Sequence, residues 1–135
     1  MSKANELNSI TLAYVGDAVY ELFVRHHLIK RGFIKVQQLH DYAVQFVSAP
    51  TQAAVIKQWI KQNYLTEKEL AVVRRGRNAK THSVPKNVSI EAYKYATAFE
   101  ALLGYHYLRG NESRLHELIE AAITERENTL ANEGV

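Results

Sequence analysis

The chain has 135 residues, 47% of them hydrophobic and 23% charged, with a formal net charge of +3. That length and composition suit one domain with a single core and leave no room for a second domain of ordinary size. Cysteine is absent, which excludes disulfide scaffolds, thiolate zinc sites and a cysteine nucleophile together. No apolar run approaches the roughly 18 residues that span a bilayer. The N-terminal stretch MSKANELNS is polar and unlike a secretory signal. The expected location is the cytoplasm, with no membrane partner.

Apolar residues recur at helical intervals nearly throughout, without a period-2 run or an Asn-Gly or Asp-Gly hairpin signal. A first helix is expected from about Asn8 to Arg31, capped by Asn8 or Ser9 and stopped by Gly32. A second covers Val36 to Val47. Ser48-Ala49-Pro50 opens a third, with Pro in its first turn, reaching about Asn63. Thr66-Glu67-Lys68-Glu69 has the capping-box pattern of a fourth helix that ends near Gly76. Gly76 to Ser89 reads as a loop. Ser89 caps a fifth helix that runs to about Arg109 before Gly110, and Asn111 caps a sixth that reaches about Leu130. Residues 1–135 therefore form one all-α domain of about six helices.

Two carboxylates interrupt apolar helix faces. At 100° per residue, Asp17 shares a face with Ile10, Ala13, Tyr14, Tyr20, Glu21, Val24 and Leu28, the expected core stripe. A buried aspartate needs a partner or a cation. Gly16 precedes it mid-helix, where Gly costs about 1 kcal/mol relative to Ala, so close packing against the backbone is expected. Glu100 repeats the pattern on a face with Tyr93, Ala96, Thr97, Leu103, Gly104 and Tyr107. If the two helices pack together, Asp17 and Glu100 form a site for a hard divalent cation such as Mg²⁺. The competing reading is two separate salt bridges, with Asp17 at the stripe's edge and paired to Arg25 or a lysine.

Between Glu69 and Glu91 there is no acid, but Arg74, Arg75, Arg77, Lys80 and Lys86 lie there, with His82 among them. These five cations exceed the whole net charge, so the rest of the chain is slightly acidic. Asn78, Thr81, Ser83 and Asn87 add hydrogen-bonding groups. Such a segment suits a phosphate backbone, with salt-dependent affinity, or is simply solvated. His40-Asp41 matches the start of an HD metal site, which needs further His or Asp ligands, with His26 and His27 as candidates; this is the weaker reading. His106 and His116 read as surface or capping residues, and the eight tyrosines as core and interface.

Leu12-Ala13-Tyr14-Val15-Gly16-Asp17-Ala18-Val19 resembles the signature helix of the ribonuclease III family. Thr97-Ala98-Phe99-Glu100-Ala101-Leu102-Leu103-Gly104 resembles that family's other active-site helix. The resemblance extends in order over nearly the whole chain and is greatest to the short Mini-ribonuclease III subfamily, which has the catalytic domain alone. Tyr14 to Glu21 and the Arg74-Arg75-Gly76-Arg77-Asn78 run carry the subfamily likeness. The larger family has four carboxylates per site. Asp17 and Glu100 match two, whereas Ala13 and Thr97 stand at the other two, and Ile10 replaces a further glutamate. Glu21 and Thr97 are the candidates for a supporting role.

The resemblance implies a homodimeric endoribonuclease that cleaves double-stranded RNA. It implies Mg²⁺, with Mn²⁺ as a substitute, held by Asp17 and Glu100. Arg74, Arg75, Arg77, Asn78, Lys80, His82 and Lys86 would bind RNA. The implied substrate is the large-subunit (23S) ribosomal RNA precursor, and a ribosomal protein is a further candidate partner. Two alternatives accompany this reading. One is a catalytically silent dimer that binds double-stranded RNA, and the other is a helical protein–protein module with a solvated basic loop.

Overall fold

The computed structural model describes residues 7–80 and 83–133. Six helices and no strand occur among them: α1 (Ser9–Lys30), α2 (Val36–Val47), α3 (Ala49–Lys61), α4 (Glu67–Asn78), α5 (Ile90–Arg109) and α6 (Glu112–Asn132). Short-range chemistry sets most of their ends. Asn8 Oδ1 accepts from the Thr11 amide at 2.8 Å, and Ser89 Oγ accepts from the Ala92 amide at 3.0 Å. Thr66 and Glu69 form the reciprocal capping box, at 3.1 and 2.9 Å. Gly32 and Gly110 follow α1 and α5 with positive φ, 101° and 75°, the left-handed turn that ends a helix without Cβ strain.

α5 is the central helix, and α1, α3, α4 and α6 all pack on it. Every residue from Ala96 to His106 except Glu100 is buried. A helix enclosed on nearly all sides shows little amphipathic contrast, so the polar Glu100 stands out within it. The main core gathers Tyr20, Trp59, Phe99, Leu102, Leu118 and Ile119. Tyr20 meets the Phe99 ring edge-on at 5.0 Å. A smaller cluster of Leu12, Ala13, Val72, Ala101 and Tyr105 joins α1, α4 and α5.

Three expectations are corrected. First, α4 continues two residues past Gly76 to Asn78. Gly76 stays helical because α5 passes so close that a Cβ there would lie 2.8 Å from Ala98 Cα. Arg77 and Asn78 are thus helical, not in the loop. Second, Asn111 occupies the N-cap position of α6, but its side chain makes no capping bond and pairs with His106 Nδ1 at 3.1 Å. Third, His106 is neither surface nor cap. It is buried, and its Nε2 lies 2.7 Å from Glu69 Oε2.

Glu69 is the hub of that buried polar cluster, at 2% exposure. Arg114 of α6 grips it bidentately, both contacts at 2.8 Å, and donates also to the Tyr64 carbonyl at 3.0 Å. Burial alone would raise the Glu69 pKa; the Arg114 guanidinium, the Thr66 amide and His106 outweigh it and hold the carboxyl at about 2. His106 is pushed down by burial despite its glutamate neighbour. A neutral ring fits these contacts, with Nδ1 accepting from Asn111 and Nε2 donating to Glu69. The cluster bolts the start of α4 to the end of α5 and the start of α6.

Candidate functional site

Two glycines create the site by letting α1 and α5 cross almost backbone to backbone. A Cβ on Gly16 would collide with the Glu100 carbonyl, and one on Gly104 would collide with the Leu12 carbonyl. The order of these contacts makes the helices run in opposite senses at the crossing. Asp17, next to Gly16, is thereby brought to Glu100. The Asp17 carboxylate lies near enough to that of Glu100 to disfavour its ionisation.

Asp17 itself is exposed, which corrects its expected place in the core stripe. The buried side of α1 is Leu12, Ala13, Gly16, Val19, Tyr20, Val24 and Leu28, rotated away from Ile10 and Tyr14, which face solvent. Periodicity finds a stripe but leaves its edge uncertain by one residue. The salt bridges of the competing reading are absent among the described ion pairs. Arg25 pairs instead with Glu21, at 3.0 Å.

Glu100 is half-buried, and its pKa is pushed up to about 8. Burial is the largest cause, followed by the charge and hydrogen bond of Asp17; the Gln52 amide opposes them, and Glu21 adds a smaller repulsion. The pair thus has excess negative charge with no Lys or Arg against it among the described ion pairs. No group of three or more His, Cys, Asp or Glu residues positioned to hold a metal occurs among the described residues. This disposes of an HD cluster around His40-Asp41 there. Two carboxylates still suit a hard cation such as Mg²⁺, which keeps several waters and takes its remaining ligands from phosphate.

The supporting candidates are otherwise engaged. Glu21 is tied to Arg25. Thr97 is buried, and its hydroxyl donates to the Tyr93 carbonyl at 3.0 Å. Sequence reasoning missed Gln52 of α3, which is 2% exposed and adjoins Glu100. The signal was the same one that exposed Asp17: a polar residue on an apolar face, here with Val55, Ile56 and Trp59.

The basic residues approach from α4. Gly76 rests on Ala98, two residues before Glu100, and the end of α4 carries Arg77 beside Tyr95 of α5, whereas Arg75 lies towards Tyr105 and Arg109. Arg74, Arg75 and Asn78 are exposed. Arg77 is partly covered, with its guanidinium 5.9 Å from the centre of the Tyr95 ring. Lys80 and Lys86 are exposed in the segment that follows. His82 and Thr81 lie outside the described residues.

No described helix is long and apolar enough to cross a membrane. Residues 10–111 match the family model of the ribonuclease III domain. A Mini-ribonuclease 3 of Symbiobacterium thermophilum is 48% identical over 124 residues, spanning 90% of this chain and 94% of the relative. One from Brevibacillus brevis is 49% identical over 118 residues, 87% of each chain. A crystal structure of a Fusobacterium nucleatum protein superimposes with a TM-score of 0.80 at 30% identity, covering 93% of this chain and 98% of that one.

Proposed function

This chain belongs to the ribonuclease III family and is an endoribonuclease, and we propose that it cuts double-stranded RNA using a divalent cation held by Asp17 and Glu100. The observation that supports this reading is the meeting of those two carboxyls at the α1–α5 crossing. Mg²⁺, replaceable by Mn²⁺, would supply a polarised water and neutralise charge on the leaving 3′ oxygen. Asp17, exposed on α1, and Glu100, half-buried on α5, would hold the cation between them. A cation bound there would favour the ionised form of Glu100, its proton passing to water. The products carry 5′-phosphate and 3′-hydroxyl ends.

Arg74, Arg75, Arg77, Asn78, Lys80 and Lys86 are assigned to the RNA backbone, and His82 is kept as a candidate with them. A-form RNA hides its base edges in a deep groove, so recognition rests on shape and phosphates. A homodimer is the working assembly. Its support is the apolar outer side of α1, where Ile10, Tyr14, Leu22 and Ile29 are exposed, Tyr14 at 81%. The proposed substrate is the 23S ribosomal RNA precursor in the cytoplasm, with a ribosomal protein on that precursor as candidate assistant.

The deciding experiment incubates the protein with a duplex RNA, with Mg²⁺ and with chelator, and maps the ends. Staggered cuts that need Mg²⁺ and vanish in Asp17→Asn and Glu100→Gln are expected. Duplex binding without cleavage in Mg²⁺ or Mn²⁺ selects instead the silent RNA-binding dimer, the alternative raised by Ala13 and Thr97 standing where the larger family has carboxylates. Replacing Arg74, Arg75 and Arg77 with Ala should weaken duplex binding and lower the salt slope by about one unit for each phosphate no longer bound. An unchanged slope removes these residues from the interface.

A further inference from the structure

We propose that Gln52 is a positioning residue of this site, its side-chain amide holding the Glu100 carboxylate in the orientation that receives the cation. The inference rests on the nuclease reading above and adds a residue to it. Gln52 lies on α3, 2% exposed, between the buried Thr51 and Ala53. Its Nε2 is the only buried side-chain nitrogen or oxygen without a hydrogen-bond partner among the described residues. Burying an amide donor and leaving it unpaired is destabilising. A leucine would fill a similar volume without that penalty, so packing gives no reason for a glutamine here.

The neighbour of that orphan donor supplies one. The Gln52 amide adjoins Glu100 where α3 packs on α5, although no acceptor completes a hydrogen bond of good geometry with Nε2. A carboxylate that binds a cation through one oxygen keeps free lone pairs, and a fixed donor that takes one of them sets the orientation of the group. Ionised Asp17 and Glu21 are acceptors only, so neither can serve as that donor. Thr97 spends its hydroxyl proton on Tyr93. Gln52 comes from a third helix, so α3 as well as α1 and α5 would define the site.

The test compares wild type with Gln52→Leu and Gln52→Met, which keep the bulk and remove the donor. Mn²⁺ binding to the RNA-free protein is measured by calorimetry, alongside thermal melting, chelator-treated duplex binding and the Mg²⁺ midpoint of cleavage. Expected are Mn²⁺ affinity and a Mg²⁺ midpoint weakened by about 10- to 100-fold, a melting temperature unchanged or raised, and duplex binding unchanged. Wild-type Mn²⁺ affinity in both variants overturns the proposal, and so does loss of the fold in both, which would make Gln52 a packing residue. If wild type itself neither binds Mn²⁺ nor cleaves, the nuclease reading falls and takes this one with it. If wild type does both and the variants match it, only the role of Gln52 falls.

Discussion

Glu69 and Glu100 are both carried on helices and shielded from bulk water, yet their ionisation moves in opposite directions, to about 2 and about 8. Both lose solvation. The difference is what each faces. Glu69 meets a bidentate arginine, a backbone amide and an imidazole from three elements. Glu100 meets a second carboxylate and one amide that completes no bond. Within one small fold, a carboxylate whose cation is supplied by the chain works as a structural bolt. One whose cation is not supplied is destabilising until something binds there. Here the carboxyl raised by burial and a second carboxylate marks the candidate site, and the one lowered by its ion pair marks a structural contact.

The largest expected effect breaks the Glu100 side of this contrast. Asp17→Asn or Glu100→Gln removes a cation ligand, and a loss of several kcal/mol of transition-state stabilisation lowers duplex cleavage by about a thousand-fold or more. Single-turnover kinetics would read this, with size-exclusion chromatography and duplex binding unchanged as controls. Cleavage at the normal rate in both variants would displace the site.

Next comes the Glu69 side. Glu69→Gln leaves Arg114 only the exposed Glu117 as an ion-pair partner and should lower stability by about 3 kcal/mol, measured by urea unfolding at pH 7. The pH dependence sharpens this. The Glu69 pKa is lowered from 4.5 to about 2 on folding, so its contribution is complete above pH 4.5 and lost as pH falls from there towards 2. His106 is also lowered from its ordinary 6.5, so stability is lost on the acid side of that value too. Removing Glu69 should flatten the acid limb below pH 4.5. A limb as steep as that of wild type would locate the acid sensitivity elsewhere.

Gly16→Ala tests the crossing that joins Asp17 to Glu100. The added methyl meets backbone, not a movable side chain, so the helices must separate, at about 1 to 3 kcal/mol. Cleavage per folded molecule should fall as well, whereas Glu69→Gln should spare it. Equal losses in the two variants would erase the distinction between bolt and site.

The smallest effect concerns stability without metal. The Glu100 pKa is raised from 4.5 to about 8 on folding, so stability falls as pH rises through that window. Asp17→Asn removes one cause of the rise. In chelator at pH 9 it should be more stable than wild type by about 1 kcal/mol, with little difference at pH 4. Melting curves at the two pH values would show it, and a variant less stable than wild type at pH 9 would mean that the carboxylates do not repel.

The sequence by itself determined six helices and most of their ends, because caps, capping boxes and terminal glycines act over three or four residues. It also pointed to Asp17, Glu100, Gly16 and Gly104, since a carboxylate or a glycine is conspicuous on an apolar helix. Tertiary structure decided the rest. Gly76 looked like a stop until Ala98 lay against it, and His106 looked exposed until Glu69, 37 residues away, met it. Asp17 seemed central because periodicity gives the angle of a stripe, whereas the neighbour on the other side sets its depth. Gln52 carries no charge and no motif, and its unpaired amide becomes visible only when α3 is laid beside α5. A helix end is local chemistry, but a site is a meeting of distant segments, and only packing determines which segments meet.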